Sequence, residues 1–181
     1  MESFYEAFIN CKHKVLGKSL KPFCLKHCLY LEAIGSPVAS LINGEEKQIT
    51  RKDLELAVVI CSAEDDILNE LEHIYSPKNW CMRFHRFKRG LTQFLSYLTD
   101  FLSFPELWDR SDGKNALNAP WILSKATLLL SKTSLSRDEI WNMPLGELIW
   151  YIACFAEQEG LAEIQSEEEQ QAIEEAIKNG K

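Results

Sequence analysis

Residues 50–62, TRKDLELAVVICS, decide the fold class, because the stretch reads two ways. Thr50 followed three residues later by Asp53 approximates a capping box, with Asp where Glu or Gln is usual, and so marks a helix start. The run Ala57-Val58-Val59-Ile60 fits a buried strand equally well, since β-branched side chains suit a pleated surface and a short apolar run carries no diagnostic period. The start signal and the helical neighbours on both sides favour helix. Leu54–Ile60 is the segment where a strand stays open.

Working outward, helix punctuation recurs along the whole chain. Ser3–Leu16 sets Phe4, Phe8, Ile9, Val15 and Leu16 near one side at helical spacing, and Gly17 follows where a left-handed C-terminal residue is wanted. Lys21-Pro22 opens a second helix with proline at its first position, and Gly35-Ser36-Pro37 stops it. A short helical stretch to Leu41 precedes the turn pair Asn43-Gly44. Ser62 caps a further helix carrying Ile67, Leu68, Leu71 and Ile74, with Glu64, Asp65 and Asp66 near its positive end.

From Ser76-Pro77 to Ser103 runs the longest periodic segment, expected as one helix bent at Gly90 and closed by Pro105. Residues 111–115, SDGKN, read as an exposed loop, and Pro120 starts another helix through Leu130. Ser136 and Glu139 form a capping box, Pro144 begins an aromatic helix over Leu145–Gly160, and Ser166–Lys178 is an acidic helix. The expected architecture is a single-domain, all-α bundle of about eight helices over residues 1–160, followed by an acidic C-terminal helix or tail over 161–181.

The totals agree with that layout. The 181 residues suffice for one core, since a domain of roughly 150 residues hides about 70% of its unfolded surface. The net charge of −7 is uneven, because Glu157, Glu159, Glu163, Glu167, Glu168, Glu169, Glu174 and Glu175 crowd the end while the body is nearly neutral. A nucleic-acid binder normally shows a basic excess to displace phosphate counterions, so nucleic acid is disfavoured as a partner. The stretch MESFYEAFINCKHK lacks the basic start and apolar run of a signal peptide, and neither Leu54–Cys61 nor Leu145–Ala156 reaches membrane length. The expected location is therefore cytoplasmic, with Cys11, Cys24, Cys28, Cys61, Cys81 and Cys154 as free thiols.

Residues able to carry chemistry are present without a catalytic pattern. Cys24 and Cys28 lie four apart on one predicted helix, as do Cys81 and His85 on another, and four such ligands suit tetrahedral zinc. Structural zinc, however, draws on close pairs in tight loops, so small buried core thiols are the expected role and no metal or cofactor is expected. A cysteine nucleophile with His13, His27, His73 or His85 requires geometry that spacing does not supply. Isolated glycines form no phosphate loop, and Asp65-Asp66 sits where a helix dipole explains it. The expectation is a protein that is not an enzyme.

Two surfaces are candidates for binding instead. Lys78, Arg83, Arg86, Lys88 and Arg89 are interleaved with Trp80, Phe84, His85 and Phe87, a basic stripe open to phosphate, to an acidic partner or to the chain's own acidic tail, or else simply solvated. Trp141, Trp150, Tyr151 and Phe155 dominate the late helix. Trp150 and Tyr151 straddle adjacent faces, so one of them is expected at the surface unless the helix is central.

Two stretches, KPFCLKHCLYLEAIGSP at Lys21–Pro37 and SRDEIWNMPLGELIWYIACFAEQEG at Ser136–Gly160, resemble small helical proteins of phage and prophage tail modules, the tail assembly chaperones. The similarity covers about a quarter of the chain and lies in pattern rather than in a chemical motif. It implies a non-enzymatic helper that coats the apolar helical tape measure protein until tail tube subunits polymerise around it. Such a role requires exposed apolar grooves on a charged exterior, which the Trp150 helix and the Glu-rich end would supply. The expected partner is thus an apolar helical segment of another protein, with a homo-oligomer left open. A regulatory or inhibitory binding module using the Lys78–Arg89 stripe on an acidic protein or nucleic acid is the rival.

Overall fold

In the computed structural model Arg51–Ser62 is helical and central, which answers the question its β-branched run poses. Leu54, Ala57, Val58, Val59, Ile60 and Cys61 are all fully buried, so the apolar residues point in several directions around the helix axis. A helix apolar on nearly all sides is stable only when surrounded, and this one packs against neighbours on several sides. Its start is the capping box read from sequence: Thr50 N–H donates to Asp53 Oδ2 at 2.9 Å and Asp53 N–H donates to Thr50 Oγ1 at 3.3 Å.

The structure describes residues 12–42, 44–45, 47–64, 66–74, 76, 79, 82, 84–102, 104–109 and 120–179. In chain order these are β1 (His13–Val15), β2 (Lys18–Leu20), α1 (Leu25–Ala33), α2 (Pro37–Ile42), α3 (Arg51–Ser62), α4 (Ile67–Glu72), α5 (Phe87–Phe101), β3 (Leu107–Asp109), α6 (Trp121–Lys132), α7 (Arg137–Asn142), α8 (Leu145–Gln158), β4 (Ala162–Ile164) and α9 (Glu167–Asn179). Nine helices among the described residues and two short antiparallel strand pairs make the protein a mostly helical bundle. Around α3 sit α1, α2, α4, α5 and β2, while α6 and α7 pack on α1 and α8 packs on α6.

Several sequence expectations are corrected. The helix expected over Ser3–Leu16 fails at its described end, where β1 and β2 form a hairpin with Val15 opposite Lys18. Leu16 and Gly17 take φ of 48° and 84°, the mirror-image turn that matches strand twist, so Gly17 is left-handed as expected but for a hairpin. Pro22 does not open α1. Residues 21–24 run extended into the core, and Cys24 is the N-cap.

Ser62 ends α3 rather than capping the next helix, and Asp66 does the capping by accepting from Asn69 N–H at 3.0 Å. The long helix expected from Ser76 begins only at Phe87, after 3₁₀ geometry at Asn79, Met82 and Phe84. Strands β3 and β4 were hidden because each is three residues long, too short to show alternation.

The extended segment Lys21–Cys24 knits the bundle together. Lys21 N–H donates to Cys61 O at 2.9 Å, and Leu145 N–H donates to Phe23 O at 2.7 Å. Tyr97 donates its hydroxyl proton to Lys21 O at 2.9 Å. Helices α3, α5 and α8 therefore each bond to one backbone group of a strand-like stretch that runs from the surface at Lys21 to the buried Phe23 and Cys24.

Candidate functional site

The aromatic residues expected to bind a partner do not share one surface. Trp150 is 9% exposed and belongs to the core, while Tyr151 beside it is 38% exposed and donates its hydroxyl proton to Glu147 Oε1 at 3.2 Å. Phe155 is half-buried against the core. Trp141 is also half-buried, on α7, beside a 260 Å³ cavity shared with Lys26, Leu29 and Arg137. Of the basic stripe, Arg86, Lys88 and Arg89 are exposed at the start of α5, and Lys78 and Arg83 lie outside the described residues.

The chemistry-bearing residues are brought together in one place that spacing did not reveal. Cys24 and His27 form a capping box at the start of α1, with His27 Nδ1 accepting from Cys24 N–H at 3.3 Å and lying 3.5 Å from Cys24 Sγ. A 310 Å³ cavity lined also by Lys21, Lys26 and Asn142 abuts the pair. Burial raises the thiol pKa of Cys24. Burial first, then Lys21 and Lys26, pull His27 down to about 3.

A thiolate–imidazolium pair is thus disfavoured on both partners, and the arrangement caps a helix rather than activating a nucleophile. Cys28 and Cys61 are buried and their thiols are raised as well. Cys81, one of the residues considered for zinc, lies outside the described residues, and among the described residues no three His, Cys, Asp or Glu side chains gather as a metal site requires.

The groove that the sequence missed lies between the second strand pair and the acidic helix. In β3, Trp108 faces Glu163 of β4, and Gln165 N–H extends the ladder by donating to Glu106 O at 3.0 Å. Glu157 of α8 accepts from Ile164 N–H at 3.0 Å and ties β4 to the bundle. Ser166 and Glu169 then start α9 with a reciprocal capping box, at 2.8 Å from Ser166 N–H to Glu169 Oε2 and 3.2 Å from Glu169 N–H to Ser166 Oγ. Gln170 Nε2 donates to Gln165 O at 3.3 Å and holds the first turn of α9 over the strands.

The result is a 440 Å³ cavity lined by Glu106, Trp108, Gln165, Gln170 and Ile173. Trp108 is 45% exposed, and Phe104, Leu107, Leu161 and Ile177 are exposed apolar side chains on the same three elements and their flanks. Glu168, Glu169 and Glu175 are exposed on the helix that walls it. The signal available in the sequence was Trp108 itself, an aromatic between Pro105 and a polar loop with no helical period to bury it.

No helix of the described residues is long and apolar enough to cross a membrane. Comparison with known proteins gave no matching family model, no matching curated protein and no matching solved structure.

Proposed function

We propose that the protein is a non-catalytic binding protein that takes up apolar helical segments of another protein, the role of a phage tail assembly chaperone toward its tape measure protein. The observation that supports this is the groove floored by Trp108 and walled by α9. A partly exposed tryptophan beside Ile173 offers apolar contact, and the amides of Gln165 and Gln170 with the carboxylate of Glu106 rim it. An aromatic anchor inside a polar rim is the usual anatomy of a binding hot spot. The glutamates of α9 select for a helix whose apolar stripe is flanked by lysine or arginine.

Calorimetric titration with two designed amphipathic peptides, one Leu/Lys and one Leu/Glu, tests the proposal. The Leu/Lys helix binds, the Leu/Glu helix does not, and Trp108→Ala together with Ile173→Asp removes the heat of binding. Equal binding of both peptides, or binding that survives the double substitution, refutes it. Tail tube and tape measure genes beside this one would support the finer, phage-specific reading.

A further inference from the structure

Two stretches of this chain contain no acidic residue at all: 11–31, with Lys12, Lys14, Lys18, Lys21 and Lys26, and 73–99, with Lys78, Arg83, Arg86, Lys88 and Arg89. Among the described residues, the fold packs the β1–β2 hairpin of the first against the start of α5 in the second. A Cβ on Gly17 would sit 2.8 Å from His85 Nε2, and one on Gly90 would sit 2.4 Å from Leu16 Cδ2, so the hairpin turn rests on the start of α5. Lys18 follows Gly17 in the turn that rests on His85, at the approach to α5, and Lys14 lies further along the hairpin. Of the acids on α3, Glu55 is paired with Arg51 at 2.9 Å and Asp53 caps the helix start with Thr50. Phe84, next to His85, is 77% exposed within this cationic patch.

From this juxtaposition we infer that the β1–β2 hairpin and the start of α5 form a docking surface for single-stranded nucleic acid. The net charge of −7 argues otherwise only if charge is taken as uniform. The acidic run is anchored through β3 and β4, which the chain reaches past the C-terminal end of α5. With a screening length of about 8 Å at physiological salt, charges on the hairpin and the start of α5 act on a ligand there more strongly than charges further off. Cations in the first turn oppose the helix dipole, and α5 has no acid there.

Phosphates repay such a patch better than carboxylates do. A polyanion releases condensed counterions, the guanidinium groups of Arg86 and Arg89 match phosphate oxygens two at a time, and an exposed phenyl ring stacks on a base. An acidic protein supplies the charge without the bases. The surface is separate from the Trp108 groove, so either assignment stands or falls alone.

Fluorescence anisotropy with labelled oligo(dT) tests the inference. Binding is expected at low salt and weakens steeply as salt rises. Exposed-site reversal in R86E/K88E/R89E reduces affinity at least tenfold, K14E/K18E reduces it by a smaller factor, and F84A costs roughly tenfold. Circular dichroism verifies that each variant stays folded. Absence of binding at low salt overturns the inference, as does a triple reversal that binds like the unaltered protein. An F84A variant with unchanged affinity, or displacement of oligo(dT) by polyglutamate at matched charge, reassigns the patch to an acidic protein and overturns it too.

Discussion

The side chain of Leu16 fills the space that a Cβ on Gly90 would need, with that carbon 2.4 Å from Leu16 Cδ2, 3.2 Å from its Cγ and 3.4 Å from Leu54 Cδ2. Leu16 reaches this position from a left-handed backbone, φ 48°, which costs a non-glycine residue about 1–2 kcal/mol. Full burial of a leucine returns roughly 1.5–3 kcal/mol, so packing wins over the strain. The hairpin, α3 and α5 thus meet at one glycine.

Gly90→Ala is accordingly destabilising although alanine favours helix by about 1 kcal/mol. The added methyl forces Leu16 and Leu54 apart, and overpacking of this kind costs about 1–3 kcal/mol beyond the propensity gain. Thermal unfolding should show a lowered Tm for Gly90→Ala. In a double-mutant cycle with Leu16→Ala, the two substitutions together should cost less than their sum. Additive costs would separate the two residues.

His27 predicts the response to acid. Its pKa is drawn from 6.5 to about 3 in the fold, by burial first and then by Lys21 and Lys26. The unfolded chain therefore takes up a proton below pH 6.5 that the folded chain refuses until about pH 3. Stability is fully present above pH 6.5 and declines as pH falls through that window, by up to about 1.4 kcal/mol per pH unit for one proton. Urea midpoints measured at pH 7 and pH 4.5 should fall further for the unaltered protein than for His27→Gln, and equal falls would contradict the assignment.

The thiols give a chemical readout of the core. Cys28 and Cys61 are buried and raised in pKa by desolvation, so almost no thiolate is present at neutral pH and no reagent reaches it. Iodoacetamide followed by peptide mapping should leave both unmodified in the native protein and label both in urea. Native-state labelling of either would mean that α1 or α3 opens locally.

What the sequence disclosed follows from where each signal lives. Capping boxes are local hydrogen-bond chemistry, and Thr50–Asp53 and Ser136–Glu139 stand where their spacing predicts. Leu54–Ile60 was ambiguous because its neighbours decide between helix and strand, and no local rule sees α1, α2 and α5 closing around it. The Cys24–His27 box escaped because neither residue is a usual capper. The hairpin escaped because Leu16 in a left-handed position is intelligible only through Gly90, far along the chain. The Trp108 groove and the basic face share that cause. Each joins segments distant in sequence, whereas Trp141, Trp150, Tyr151 and Phe155, close in sequence, are divided between core and surface by helical rotation.

Tyr97 offers the sharpest test of the extended segment. Its ring is fully buried and meets Phe23 edge-on at 6.0 Å, Phe101 at 5.3 Å and His13 at 5.4 Å. Tyr97→Phe keeps every one of these contacts and removes only the hydroxyl, which donates to Lys21 O at 2.9 Å. Lys21 lies at the surface, so losing this bond costs about 0.5–1.5 kcal/mol, the usual net worth of one hydrogen bond. Chemical denaturation of Tyr97→Phe should therefore show a lowered midpoint with an unchanged slope. A neutral substitution would show that Lys21–Cys24 draws its position from Cys61 and Leu145 alone, and that α5 contributes packing without a directional bond.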